Sequence, residues 1–307
     1  MKKPLVRKEF NGGLIVNKRK LRDPRNFSRS KTFGASINLA SIPTDFDLQP
    51  DAKVLNQLSS THCTAFANSM VSSIQEGVEL SPEYAIQKTK LLMGGDPHRW
   101  GADPDMALKA HVKFGCIQQS DNPWKLSEWG SFFVEDPANW KARGELDFKA
   151  IPFQKKSYMK VDGYGNLFDS IRATMWESYQ AYKAYGVSSK KRAVSLGMMW
   201  QPEWTYCANG IIPKISGFNT DLAHNVLVRG TKLINGEIYL IIQNSWGDGI
   251  GDKGLFYFPK EVINSKYVLF AKTFEDKDPS EVKAEQWGIM AQLYNLLMKL
   301  AKNFNLA

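Results

Sequence analysis

Cysteine is scarce in this chain of 307 residues, with only Cys63, Cys116 and Cys207. Three cysteines make no disulfide framework and leave at least one thiol unpaired, which favours a reducing compartment. Long apolar runs are also missing: no stretch approaches the roughly 18 uninterrupted apolar residues of a membrane-spanning helix. There is no internal repeat and no low-complexity tract. With 43% hydrophobic and 23% charged residues, the composition excludes a wholly disordered chain, a collagen-like repeat and a coiled-coil rod. What remains is a globular chain long enough for one large domain or two modest ones.

Acids are scarce in one place. Residues 1–31 hold eleven Lys and Arg against only Glu9 and Asp23, which accounts for the whole net charge of +9. The rest of the chain carries as many bases as acids, so the basicity belongs to an arm and not to the body. The arm's apolar stretch, Gly12-Gly13-Leu14-Ile15-Val16, is followed by more basic residues and does not read as a secretory signal. The expected location is cytoplasmic or virion-associated. The arm either docks on an acidic partner (nucleic acid, lipid or an acidic protein face) or is a solvated tail or short pro-segment lying over a cleft.

Apolar residues at Ala65, Phe66, Met70 and Ile74 recur at helical spacing over 61–76. Ser81-Pro82-Glu83 has the cap, the first-turn proline and the acid of a helix start. A third helix is expected over 104–114, stopping at Gly115, and a fourth over 169–185, ending at Gly186. Beyond it the period changes. Residues 193–199, 225–228, 238–242 and 255–258 are strand-like runs divided by Gly, Asn and Pro. Helices first and strands second predict an α+β protein with segregated halves. The expected divisions are a basic arm (1–45), a helical half (46–150), a β-rich half (151–275) and a C-terminal amphipathic helix (276–307). In that last helix Met290, Leu293, Leu297, Leu300 and Phe304 form an apolar face that packs back on its own domain or mates with a second copy or partner.

Three segments carry the chemistry. In Gln57-Leu58-Ser59-Ser60-Thr61-His62-Cys63-Thr64-Ala65-Phe66 a cysteine opens a helix shortly after a glutamine. A helix start favours thiolate over thiol. In Ala223-His224-Asn225-Val226 a histidine leads into an apolar strand, and in Gln243-Asn244-Ser245-Trp246-Gly247 an asparagine and a tryptophan leave a strand for a Gly-rich turn. Thiol, imidazole and amide together suit nucleophilic acyl transfer.

In this order the segments resemble those of the papain-like cysteine peptidases, which carry N-Q-G-S-C-G-S-C-W-A-F, then a histidine before a strand, then N-S-W-G-x-x-W-G. The likeness runs from about Ile42 to Phe258, with support at Leu80-Ser81-Pro82-Glu83-Tyr84. It implies an α+β papain-like fold of two lobes, one helical and one β-barrel-like, with the active cleft between them. It also implies Cys63 as nucleophile, His224 as general base and acid, Asn244 as the residue orienting the imidazole, and Trp246 as its cover. Gln57 and the Cys63 backbone N–H would form the oxyanion hole. The implied activity is hydrolysis of a protein or peptide substrate through a thioester acyl-enzyme, with no cofactor and no metal. Cys63 is then expected to ionise well below the usual thiol range.

The sequence departs from the family pattern at Ser60, where a half-cystine is usual, at His62 (serine), at Thr64 (tryptophan) and at Ile250 (tryptophan). The long separation of Cys63 from His224 implies an insertion between the halves. None of these departures removes a reacting group. Cys116 and Cys207 read as ordinary small residues, and His111 with Cys116 lacks the second pair a metal site needs. Two other functions stay open at this level: a papain-like domain kept as an assembly module of a particle such as a phage virion, and an amide hydrolase acting on cell-wall peptides.

Overall fold

The computed structural model describes residues 14, 27–28, 37–58, 60–95, 101–123, 144–186, 190–214, 222–277, 280 and 288. The expected C-terminal helix therefore lies outside the described residues, apart from Ser280 and Gly288. Of the arm, Leu14, Phe27–Ser28 and residues 37–45 are described, and Leu14 and Phe27–Ser28 pair with the body.

Helix α1 (Cys63–Glu76) ends at Gly77, whose left-handed backbone lets its N–H close on the Ser73 carbonyl. Twelve of its fourteen residues are buried, so it is a central helix and not an amphipathic surface one. In α2 (Pro82–Leu92) the Ser81 hydroxyl accepts from the Tyr84 N–H, as the sequence predicts. Asp103 caps α3 (Pro104–Lys113) in the same way. A short α4 (Gly144–Ala150) follows, and then α5 (Leu167–Tyr185), capped by Asn166 and stopped at Gly186. A single turn, α6 (Lys260–Ile263), completes the helices described.

The strands are β1 (Phe27–Ser28), β2 (Phe46–Asp47), β3 (Lys155–Lys160), β4 (Val194–Met199), β5 (Ala223–Ile234), β6 (Glu237–Gln243), β7 (Leu255–Pro259) and β8 (Val268–Asp276). They form one sheet in the order β1-β3-β8-β4-β5-β6-β7, with β2 laid on β5. Only the β1–β3 pair is parallel. Strand β2 approaches β5 so closely that a Cβ on Gly230 would sit 2.2 Å from the Phe46 carbonyl oxygen, which is why glycine stands there. Helix α1 packs on β5, α2 and α3, and its Phe66, Val71 and Ile74 enter the main core with Val226, Leu227 and Val228 of β5.

Strands β3 and β8 escape the sequence pattern because each buries a lysine where alternation predicts an apolar residue. Lys155 is fully buried; its Nζ donates to Glu76 at 2.5 Å and to Asp276 at 2.6 Å. Lys272 pairs with Asp105 of α3. Burial pushes the Glu76 carboxyl up, but Lys155 and Lys190 together outweigh it and hold the group below its ordinary value. Glu76 is the last residue of α1, so this cluster fixes the helix end to β3 and β8.

Lys155→Met removes the cation that Glu76 and Asp276 share, and should lower the unfolding free energy by about 3–5 kcal/mol, read from urea midpoints. A carboxyl held below its unfolded value contributes stability above the carboxylate range and loses it as pH falls through that range. Wild-type stability should therefore fall more steeply on acidification than that of Lys155→Met; equal slopes would place the stabilisation elsewhere.

Candidate active site

Asn244 immediately follows β6. Its Oδ1 accepts from the Ser245 backbone N–H at 2.7 Å and lies 2.9 Å from His224 Nε2. A backbone N–H can only donate, so the Asn244 atom it meets is the carbonyl oxygen. His224 must then donate through Nε2–H, which leaves Nδ1 as the basic atom of the neutral ring. His224 is the second residue of β5 and is fully buried. Trp246 stacks on its ring at 4.3 Å between centroids and 21° between planes, and Trp200 meets it edge-on at 5.5 Å. Trp200, just after β4, was not flagged by the sequence; its signal was a lone tryptophan at the end of an apolar run.

Gln57 is held from three directions. Its backbone N–H donates to the Ser245 carbonyl at 2.7 Å, its Nε2 donates to the Ser60 carbonyl at 2.7 Å, and its Oε1 accepts from the Ser245 hydroxyl at 2.6 Å. The Ser60 carbonyl can only accept, so the atom that meets it is the amide nitrogen, and one of the two amide N–H donors is committed there. Asn56 pairs with Trp246, and the Gly247 N–H donates to the Leu55 carbonyl. The glutamine segment is thus stitched to the Asn244-Ser245-Trp246 segment by backbone as well as side chains.

Cys63 is the first residue of α1 and fully buried. The backbone N–H of Asn225 points to its sulfur, so the thiol lies against the residue next to His224. Leu14 covers it. Leu14 is 3% exposed, its N–H donates to the Ala223 carbonyl at 3.3 Å, and it pairs with Ala102 in a parallel bridge. Leu14, Cys63, Ala223 and Phe270 form a small apolar cluster, with Met199 and Leu269 at its margin.

That cover overturns one expectation. Burial pushes the Cys63 thiol up to about 12, against the Asn225 N–H and the helix start. A helix N-terminus contributes only about 0.3–1 kcal/mol to a charge beside it, too little to offset the loss of water around a thiolate. The sequence could not show this, because the residues that share the apolar cluster with Cys63 are distant in the chain. Cys116, buried and bonded to the Ser81 carbonyl, is likewise pushed up to about 12, and Cys207 is half-buried; all three cysteines are free. His111 lies 3.2 Å from the Ser72 hydroxyl and packs on Phe274. Among the described residues, no group of three His, Cys, Asp or Glu could hold a metal ion, and no helix is long and apolar enough to cross a membrane.

Residues 52–269 match the papain family cysteine protease domain. The chain belongs to the papain family of cysteine proteases. Its activity is that of a peptidase, a hydrolase. Among solved papain-family structures, xylellain, a cysteine protease from Xylella fastidiosa, superposes with a TM-score of 0.68 at 19% identity, over 90% of this chain and 100% of that one. The proform of the ragweed cysteine protease Amb a 11 gives 0.61 at 18% identity, over 89% and 76%. Procathepsin L 3 of Tenebrio molitor larvae gives 0.53 at 17%, over 84% and 78%. At such identities the likeness is one of fold. No curated protein matches the chain in sequence.

Leu14→Glu places a charge in the apolar cluster over Cys63 and should expel the segment. Iodoacetamide labelling of Cys63 near pH 7 should then speed up by tenfold or more, as water reaches the thiol and its pKa comes down. Cys116, in a separate buried site, should label at its wild-type rate; equal acceleration of both would mean general loosening.

Proposed function

We propose that Cys63, His224 and Asn244 carry out the peptidase chemistry, with Gln57 in the oxyanion hole and Trp246 shielding the His224–Asn244 bond. The observation carrying this is the double acceptance at Asn244 Oδ1, which leaves His224 Nδ1 basic. The cleft lies between the half spanning 46–150, which bears Cys63, and that spanning 151–275, which bears His224 and Asn244. The Cys63 proton passes to His224 and the sulfur attacks the scissile carbonyl carbon. The oxyanion that forms is met by the Gln57 amide and the Cys63 backbone N–H. The imidazolium protonates the departing amine, leaving a thioester, and His224 then activates the water that hydrolyses it.

Protein or peptide is the substrate class this reading favours. Leu14, a piece of the chain's own backbone, already lies between Ala102 and the Ala223 carbonyl over the nucleophile. The same contacts favour an arm that covers the cleft over one that docks on an acidic partner. The three free thiols support a reducing location, cytoplasmic or within a virion.

Cys63→Ala should abolish cleavage of unstructured protein with the fold intact. Gln57→Ala should lower kcat by on the order of a hundredfold, and Asn244→Ala should leave partial activity, because it removes only the orientation of the ring. Assays should run with the arm displaced and include cell-wall peptides. If Cys63→Ala still cleaves, the assignment is wrong. If the wild type cleaves neither substrate class, the assembly-module reading replaces it.

A further inference from the structure

Both polar groups of Gly101 are held by buried side chains. Its N–H donates to Thr61 Oγ1 at 2.9 Å, and its carbonyl accepts from Lys90 Nζ at 2.7 Å. Thr61 and Lys90 are fully buried. Thr61 stands two residues before Cys63, and Lys90 lies in the last turn of α2, so these bonds tie Gly101 to the nucleophile segment and to a packed helix. A desolvated ammonium is costly to keep, and its bond to a backbone carbonyl is of the strong, charge-assisted kind. His62 lies between these anchors; its burial, with Lys90 nearby, holds its imidazole far down, at about 3, so it stays neutral beside the ammonium.

The residue after Gly101 is Ala102, with which Leu14 forms an isolated parallel bridge. Leu14 donates on its other side to the Ala223 carbonyl, next to His224. An extended backbone in the cleft therefore has two rails. The Ala223 rail belongs to β5 and is rigid. The Ala102 rail belongs to a loop, and Gly94 and Gly95 on the approach to it both take positive φ.

We infer that Lys90 and Thr61 are positioning residues for substrate: they hold Gly101 so that Ala102 presents a fixed edge to the peptide backbone lying over Cys63. This rests on the reading of the cleft as a peptidase site. Neither residue touches the reacting atoms, and neither belongs to the Gln57, Cys63, His224 and Asn244 set. The same edge serves the arm, so loosening it has two opposite consequences: a peptide substrate binds less well, and Leu14 leaves Cys63 more readily.

The test uses the full chain carrying Lys90→Met, a volume-conserving change, or Thr61→Val, with Thr61→Ser as the variant that keeps the hydroxyl. The readouts are KM and kcat on a peptide substrate, and the ratio of Cys63 to Cys116 labelling by iodoacetamide without substrate. With the arm displaced by Leu14→Glu, so that it does not compete with substrate, loss of a hydrogen bond of this kind should raise KM about tenfold with kcat nearly unchanged. In the chain that keeps Leu14 it should also raise the labelling ratio about tenfold, while Thr61→Ser stays close to wild type. An unchanged ratio with an unchanged KM overturns the inference. So does parallel acceleration of Cys63 and Cys116, which would make these residues mere supports of the fold. If the wild type cleaves no peptide, the peptidase reading fails, and the labelling ratio alone still decides whether Lys90 and Thr61 anchor the edge.

Discussion

A reaction centre split between a helix start and a strand exists only while the helix keeps its place across the strand. Helix α1 is held to the sheet along its whole length. At its first residue the Asn225 N–H of β5 meets the Cys63 sulfur. Midway, Gln243 Nε2 reaches the Met70 sulfur at 3.3 Å. At its end, Gln75 donates to the Phe274 carbonyl, and Glu76 joins Lys155 and Asp276. Close packing leaves no room for such a helix to slide, so the cysteine and the imidazole keep their separation without any covalent link between the halves.

The imidazole has its own constraint. Trp200 is fully buried and touches Trp204, Trp246, Phe256 and Phe258 as well as His224. The ring of His224 thus sits in an aromatic box that keeps water from its bond to Asn244 and strengthens that bond. A histidine free to turn over would exchange its two nitrogens and lose the tautomer that leaves Nδ1 without a proton.

Much of this was legible in the sequence. The helix opening at Cys63, the Ser81 cap, the stop at Gly186 and the strands carrying His224 and preceding Asn244 all follow from local rules that act within a few residues. The order of the chemical segments pointed to the family that residues 52–269 match. Misreadings arose where distant residues override the local pattern. Strand β3 reads as polar because the partners that make Lys155 tolerable come from Glu76 and Asp276, far away in sequence. Placed ahead of the expected α5 helix, β3 also interrupts the run of helices then strands. The state of the Cys63 thiol was misjudged because helix position is a local signal and burial beneath Leu14 is not. Lys90 gave no signal at all, since a lysine near a helix end is ordinarily a solvated one.

The seat of Leu14 also bears on how the protein ages. It is the thiolate that attacks peroxide, and oxidation beyond the sulfenic stage destroys a cysteine nucleophile for good. Buried in its apolar cluster, with its thiol pushed up, the sulfur is shielded from water and offers an oxidant little charge and little access. The burial that holds back the thiolate therefore also protects the sulfur: whatever keeps Cys63 from reacting keeps it reduced.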